Sequence, residues 1–138
     1  MADILTAKSL LLARLRTDTG RTVYDGYVPE KVPQNGVYIK PYTILWAGLG
    51  EAPNELTSDG VESQSTLIWD FQTTAVGPDA NSCLQLAAAD KALLTNHRAG
   101  RGIIRPNPDG YNQQTPILDA SITPARFMLP LQWRLITN

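Results

Sequence analysis

The sequence predicts an α+β fold, in which a small mixed or antiparallel β-sheet of about four to five strands packs with two α-helices. Three observations lead to this prediction. Residues 65–77 and 127–136 alternate apolar and polar side chains with the period of two that is typical of a half-buried strand. Residues 3–16 and 80–97 instead repeat apolar side chains every three to four positions, as amphipathic helices do. A chain of 138 residues fits a single domain, which we expect to span residues 1–138.

The amino-terminal third of the chain predicts a helix followed by two extended segments. The helix covers residues 3–16, with charged residues on the side opposite its apolar face. Residues 23–32 include a proline and are followed by Pro33, so a short strand at the edge of a sheet is expected. An Asn-Gly turn signal then leads into residues 37–47, which predict an apolar strand.

A turn-rich, acidic loop is predicted at residues 48–64. It contains three glycines, one proline and four acidic residues, and it lacks the alternation of a strand. Loops longer than about 12–15 residues without structure of their own tend to be functional or disordered. We therefore interpret this segment as either an interaction arm or a mobile turn.

The second half of the chain begins with the predicted central strand, residues 65–77, which is rich in β-branched and aromatic residues. A helix follows at residues 80–97, and Gly100 is predicted to close it. Residues 101–105 predict a brief strand that ends at a turn rich in proline and glycine. The last strand contains Pro130 and is therefore expected at an edge or a bulge.

Each of the three best predicted strands contributes one tryptophan. In the central strand, the tryptophan shares its face with a phenylalanine two residues further on. Because these faces should meet the helices, four aromatic residues are predicted to anchor the core. They are Trp46, Trp69, Phe71 and Trp133.

Charged residues are segregated along the chain, although the net charge is only −1. Residues 1–40 carry six basic and four acidic side chains, residues 41–90 carry seven acidic and no basic ones, and residues 91–138 carry six basic and two acidic ones. Blocks of this kind can orient one surface against another. Seven residues are therefore candidates for a subunit or partner interface: Glu51, Glu55, Asp59, Glu62, Arg98, Arg101 and Arg105.

The sequence offers no catalytic constellation, and we expect that the protein is not an enzyme. His97 is the only histidine and lies at the end of a predicted helix, beside an arginine, where a capping role is the better interpretation. Cys83 is the only cysteine and lies near apolar residues. One histidine and one cysteine cannot form a zinc site of nitrogen and sulfur ligands, and no calcium-loop spacing occurs. We therefore predict no metal and no cofactor.

The composition, 43% apolar and 18% charged, is typical of a soluble globular protein. No apolar run approaches the roughly 20 residues that a bilayer-spanning helix needs. The first residues contain only a short apolar run, which does not favour a secretory signal. We therefore expect no membrane partner.

Several segments follow one another in a recognisable order. An amphipathic helix precedes the segment V-Y-D-G-Y-V-P at residues 23–29, and Pro41-Tyr42 then opens an apolar strand. A long loop, a second strand, a helix and a closing strand complete the chain. This order resembles the tail terminator family of long-tailed bacteriophages, which act in tail completion and head–tail joining. The resemblance covers most of the chain, and the length and acidity of residues 48–64 depart from the family pattern.

The resemblance implies a structural virion protein without catalytic residues. Members of this family form hexameric rings at the head-proximal end of the tail tube, where they end tube polymerisation and join the tail to the head connector. The implied partners are further copies of the chain, the tail tube protein and the head-connector or stopper protein. DNA passes through the lumen without sequence-specific binding. The implied location is the tail or neck of the virion, assembled in the host cytoplasm.

Other interpretations stay open at this point. A neck protein that completes or connects the head would look similar, and a non-viral α+β module could bind a small ligand or a peptide. Two roles are also open for the acidic loop. It could meet the basic residues 98–105 of a neighbouring subunit, or it could face the lumen and repel passing DNA.

Overall fold

The fold consists of two helices and eleven strands in a computed structural model that describes residues 4–17, 21–48, 55–56, 62–63, 67–100, 102–110 and 115–137. The helices are α1 (Ile4–Leu15) and α2 (Ala80–Leu94). In chain order, the strands are β1 (Val23–Asp25), β2 (Gln34–Asn35), β3 (Tyr38–Ile39), β4 (Tyr42–Ala47), β5 (Glu55–Leu56), β6 (Glu62–Ser63), β7 (Leu67–Gly77), β8 (Arg98–Ala99), β9 (Gly102–Pro106), β10 (Ile117–Asp119) and β11 (Arg126–Thr137). The predicted α+β class is confirmed.

Seven of the described strands form one main sheet, in the spatial order β1-β4-β7-β11-β9-β8, with β10 paired to the first residues of β11. Strand β1 runs parallel to β4 and the other neighbours are antiparallel, so the sheet is mixed. It has more strands than the four to five predicted, because β8 and β10 are only two and three residues long. Runs this short carry no recognisable alternation. The hairpins β2–β3 and β5–β6 form two further small sheets.

The predicted central strand, β7, lies inside the main sheet between β4 and β11, and its whole length pairs with β11. Strand β11 as a whole lies inside the sheet, although its proline predicted an edge or a bulge. Its other described neighbours, β10 and β9, pair with residues 126–128 and 133–136. Pro130 falls in the interval between these two ranges. Proline is tolerated there because β11 has a described strand on only one side along this interval.

Both helices pack on one face of the main sheet, which we call the helix face. Helix α1 buries Ala7, Leu11 and Leu15, which recur every four residues along one side. They join a cluster formed by buried side chains of the sheet and of α2. These include Leu45, Trp69, Phe71, Leu94, Ile104, Trp133 and Leu135. Burying one large apolar side chain stabilises a fold by about 1.5–3 kcal/mol. Because this cluster has more buried apolar side chains than the other two described clusters, it is the main apolar core.

Gly77 ends β7 and allows the chain to turn directly into α2. A Cβ atom at this position would lie 2.8 Å from the backbone nitrogen of Cys83 and 3.2 Å from the carbonyl carbon of Ser82. Asp79 is the N-cap residue, and its carboxylate accepts a hydrogen bond from the backbone N–H of Ser82 at 2.7 Å. This cap accounts for the predicted start of the helix at residue 80.

Helix α2 ends at Leu94, three residues before the predicted end at His97. Asn96 has a φ of 62°, a left-handed conformation that ends the helix and that asparagine tolerates better than most residues. The carbonyl oxygen of His97 then accepts a hydrogen bond from Ile104, so this part of the chain already belongs to the β8–β9 hairpin. Gly100, which was expected to close the helix, instead lies at the turn of that hairpin with a φ of 62°.

A buried ion pair connects the two helices to β4. Asp90 is fully buried, and its carboxylate accepts hydrogen bonds from Arg21 at 2.7 Å and from the hydroxyl of Thr43 at 2.8 Å. Burial raises the pKa of Asp90, and these two hydrogen bonds oppose that effect. Arg21 also donates to the carbonyl oxygen of Leu15 at 3.1 Å. One guanidinium therefore bridges the end of α1 and the middle of α2.

The opposite face of the main sheet, which we call the outer face, packs against neither helix. At one end, the β2–β3 hairpin covers it, and Ile39 is buried against Tyr42 and Ile44. At the other end, Asp70 is exposed and Gln72 is only partly buried. This end of the outer face is therefore accessible to a partner.

Trp46 is not a core residue, contrary to the prediction from the sequence. Its side chain is 39% exposed and lies on the outer face, whereas Trp69, Phe71 and Trp133 are buried on the helix face. The physical reason is the register of β4. Leu45 faces the core, so the next residue along the strand must face outward.

Candidate functional site

The accessible end of the outer face is built by three neighbouring strands, β7, β11 and β9. Their register aligns two rows of residues across the strands. The rows are Ile68, Ile136 and Ile103, and next to them Asp70, Arg134 and Arg105. Side chains in directly opposite positions are close enough to interact. The two rows therefore form one continuous surface, in which an aliphatic strip borders a charged one.

Arg134 is the centre of the charged row. It donates hydrogen bonds to both carboxylate oxygens of Asp70 at 2.8 and 3.2 Å, and it lies 3.1 Å from the carboxylate of Asp109. These hydrogen bonds hold the pKa of Asp70 below its ordinary value and raise the pKa of Arg134. Two carboxylates thus neutralise this guanidinium, so Arg134 has little capacity left for a further anion.

A cleft of about 600 Å³ opens beside this charged row. It is formed by the β8–β9 hairpin, the turn that follows β9, and the end of β11. The residues that line it, and that define what we call the arginine cleft, are Arg98, Ile103, Arg105, Pro106, Pro108, Arg134 and Ile136. Its volume is within the range of sites that take a small molecule or a few side chains.

Two of the three arginines in the cleft have no ion-pair partner within the described part of the chain. Arg98 and Arg105 are both exposed, and neither takes part in an ion pair with a described residue. Arg98 lies opposite Ile103 in the hairpin, and Arg105 lies opposite Arg134 on β11. Among the described carboxylates, Asp70 and Asp109 pair with Arg134. The arginine cleft therefore presents two guanidiniums that no described carboxylate neutralises, beside an apolar floor.

A hydrogen-bonded polar row separates the arginine cleft from the covered end of the outer face. The indole N–H of Trp46 donates to the hydroxyl of Thr74 at 3.2 Å, and the side-chain amide of Gln72 donates to the same hydroxyl at 3.1 Å. Gln132 in turn donates to the amide oxygen of Gln72 at 2.6 Å. This row fixes the partly exposed tryptophan at the border of the accessible surface.

The arginine cleft contains part of the basic cluster predicted from the sequence. Arg98 and Arg105 line it, whereas Arg101 lies outside the described residues. Arg134 is not among the sequence-based candidates, although it lines the same cleft. The alternation of β11 places this residue on the outer face, but only the strand register reveals that Arg105 is its neighbour.

The acidic candidates fall in a segment of which only the β5–β6 hairpin is described. Glu55 and Glu62 belong to the two strands of that hairpin, and Glu51 and Asp59 lie outside the described residues. The hairpin forms a two-stranded sheet of its own and does not extend the main sheet. The predicted loop at residues 48–64 therefore contains regular structure, which its composition did not indicate.

The other acidic residues of the block 41–90 have roles within the described fold. They are Asp70, which pairs with Arg134, Asp79, which caps α2, and Asp90, which pairs with Arg21. The four that remain all belong to residues 48–64, in which the structure describes no side chain. The predicted segregation of charge is thus concentrated in two places, the arginine cleft and the 48–64 segment.

The single histidine and the single cysteine both favour their neutral forms. Burial and the nearby charge of Arg14 lower the pKa of the half-buried His97. Cys83 is buried, and burial raises the pKa of its thiol to about 11. In the described ranges, no three His, Cys, Asp or Glu side chains are close enough together to hold a metal ion.

No protein-family model and no curated protein matches this chain. The two described helices contain 12 and 15 residues, and neither is long and apolar enough to cross a membrane.

Proposed function

We propose that this protein is a structural subunit that assembles head-to-tail into a closed ring and acts as a tail terminator of a long-tailed phage. In this role, a ring of six copies sits at the head-proximal end of the tail tube, ends its polymerisation and joins the tail to the head connector. The observation that carries the proposal is the arginine cleft, where an apolar floor lies beside two exposed guanidiniums that pair with no carboxylate in the described ranges. The role in the tail comes from the resemblance in the order of the parts.

A head-to-tail interface joins two different patches of the same chain, and it closes into a ring when the rotation between copies permits. The arginine cleft supplies a basic patch, and residues 48–64 contain four acidic residues and no Lys or Arg. Patches of opposite sign attract each other across such an interface. Opposite patches can also pair across a two-fold axis, so the choice of the head-to-tail arrangement comes from the resemblance in the order of the parts.

The arrangement of the fold also supports a subunit that works by assembly. Both helices cover the helix face, and the β2–β3 hairpin covers one end of the outer face. The surface that is left accessible borders β9 and β8, at one edge of the main sheet. A neighbour that docks there buries the aliphatic row without disturbing the core.

A second candidate is favoured by the volume of the arginine cleft. A cleft of about 600 Å³ with two guanidiniums would also suit a small anionic ligand or an acidic peptide. In that case the protein is a binding module that functions as a monomer. A head-completion or connector protein of the neck is a variant of the first candidate, since it also assembles into a ring.

Light scattering on the purified chain separates these candidates. A six-membered ring has six times the 15.1 kDa mass of the chain, whereas the binding module has the mass of one chain. A ring that caps purified tail tubes and stops their growth supports the terminator role. A ring that binds only the head connector assigns the protein to the neck, and a chain that stays monomeric at every concentration refutes the ring.

A further inference from the structure

We infer that the arginine cleft of one subunit receives the acidic β5–β6 hairpin of the next subunit in the ring. This inference rests on the proposed ring function and names the two surfaces that close the ring. The occupant is the segment of residues 48–64 from a second copy of the chain. Neither nucleic acid nor a small anion is required.

The chemistry of the arginine cleft calls for an occupant with both carboxylates and aliphatic side chains. Arg98 and Arg105 are exposed and have no ion-pair partner among the described residues. A guanidinium binds a carboxylate through two parallel N–H groups, which gives strength and direction. The floor next to them includes Ile136, which is 47% exposed. Covering this aliphatic surface adds an apolar contribution that a simple anion cannot supply.

Residues 48–64 have this combined composition. They contain four acidic residues, no Lys or Arg, and several aliphatic residues. In the hairpin, Leu56 is the register partner of Glu62. In the cleft, Ile103 is the register partner of Arg98. In each hairpin, an aliphatic residue is thus the register partner of a charged residue, and the two charges are opposite in sign.

The hairpin is not paired with the described main sheet, and the connection that carries it is long enough to contact another subunit. It forms its own two-stranded sheet, and no described strand of the main sheet pairs with it. Nineteen residues connect β4 to β7, so an excursion that turns back on itself extends at most about 30 Å. That length is about the diameter of a small domain. The hairpin can therefore contact an adjacent copy in a ring.

Charge reversal of the two surfaces tests this contact. The first variant, Arg98→Glu with Arg105→Glu, has an acidic cleft and the native acidic hairpin. The second variant, Glu55→Arg with Glu62→Arg, has a basic hairpin and the native basic cleft. Each variant alone should need at least about 100-fold more protein for assembly than the wild type, because like charges now meet. Sedimentation velocity measures the assembled fraction.

An equimolar mixture of the two variants should restore rings. Each acidic cleft then receives a basic hairpin and each basic cleft an acidic hairpin, and the two variants alternate around a ring with an even number of subunits. The chain with all four substitutions should assemble alone. If this fourfold chain recovers but the mixture does not, the hairpin binds the cleft of its own subunit, and the inference is wrong.

A matched control for the first variant carries Lys31→Glu and Lys40→Glu, which lower the net charge by the same amount as Arg98→Glu with Arg105→Glu but at two exposed positions outside the cleft. It should assemble like the wild type. Circular dichroism checks that each variant is folded. If the Arg98→Glu, Arg105→Glu variant does not fold, Arg98→Gln with Arg105→Gln replaces it, and this variant should weaken assembly about tenfold.

The outcomes separate the contact from the ring itself. If the wild type forms rings and either reversal variant also forms rings at the same concentration, the inference is wrong and the proposed function still stands. Rings of the second variant that newly retain DNA would assign the hairpin to the lumen instead. A wild-type chain that never assembles would refute the proposed function before the contact is tested.

Discussion

Arg134 donates two hydrogen bonds to Asp70 across the β7–β11 pair, at 2.8 and 3.2 Å. Because this pairing neutralises the central guanidinium of the outer face, the free positive charge of the cleft rests on Arg98 and Arg105. The pair therefore has a structural role, and its loss should affect stability more than assembly.

The first prediction concerns the pH dependence of this pair. The pKa of Asp70 is lowered in the folded protein, so its carboxylate stabilises the fold above its ordinary pKa of 3.8, and this contribution is lost as the pH falls through the folded-state value. We expect Asp70→Asn to cost about 0.2–1 kcal/mol at pH 7, since the Asp70 side chain is 49% exposed. Urea unfolding at pH 7 and pH 3 measures this, and an equal difference from wild type at both values would contradict it.

The second prediction concerns the buried pair of Asp90 and Arg21. Asp90→Ala leaves a buried guanidinium without its carboxylate, and we expect a loss of about 3–5 kcal/mol in the free energy of unfolding. Asp25→Ala is the matched control, because Asp25 pairs with Lys8 at a partly exposed site and should cost at most about 1 kcal/mol. Chemical denaturation of both variants checks the difference. Equal losses would show that Asp90 does not hold the helices to the sheet.

The third prediction concerns the junction of β7 and α2. Gly77→Ala places a methyl group 2.8 Å from the backbone nitrogen of Cys83, and backbone atoms cannot move aside without shifting the helix. We expect a loss of about 1–3 kcal/mol, as for an overpacked core site. Asn81→Ala, at an exposed position of the same helix, should change stability by less than about 0.5 kcal/mol. Thermal unfolding of the two variants measures this, and a Gly77→Ala protein as stable as the Asn81→Ala control would contradict the close approach.

The fourth prediction concerns the three tryptophans. Trp46 is 39% exposed, whereas Trp69 and Trp133 are buried. Acrylamide should therefore quench mainly Trp46, and Trp46→Phe should remove most of the quenching from the folded protein. The control is Trp133→Phe, which should leave the quenching unchanged and should lower stability because the hydroxyl of Thr73 loses a hydrogen bond. Quenching that survives in Trp46→Phe would show that a second tryptophan is accessible.

Long, regular segments are the parts of this fold that the sequence predicts well. Strand β7 alternates over most of its 11 residues and α2 is capped by Asp79, so the type and place of both elements follow from local chemistry. Strand β4 reads Y-T-I-L-W-A, in which nearly every residue suits either face. Alternation cannot choose a face in such a run. The pairing of Trp46 with Gln72 decides it, and this is a tertiary contact.

The candidate site was only half predictable for a related reason. Segregation of charge along the chain indicates Arg98 and Arg105, because a block without basic residues precedes them. By the segregation of charge alone, Arg134 belongs to the basic block of residues 91–138 just as Arg98 and Arg105 do. Only the register of β7, β11 and β9 shows that Asp70 neutralises Arg134, while Arg105 pairs with no carboxylate in the described part of the chain. The free charge of a surface depends on such neighbours, which sequence spacing does not reveal.

The most direct test of the central claim is electron microscopy of the purified wild-type chain. Head-to-tail contact between two different patches should give class averages of closed rings, with six repeats of one 15.1 kDa subunit around a central opening. The same rings should disappear in the Arg98→Glu, Arg105→Glu variant and return when it is mixed with the Glu55→Arg, Glu62→Arg variant. Single particles of one chain, or open filaments that never close, would contradict the account.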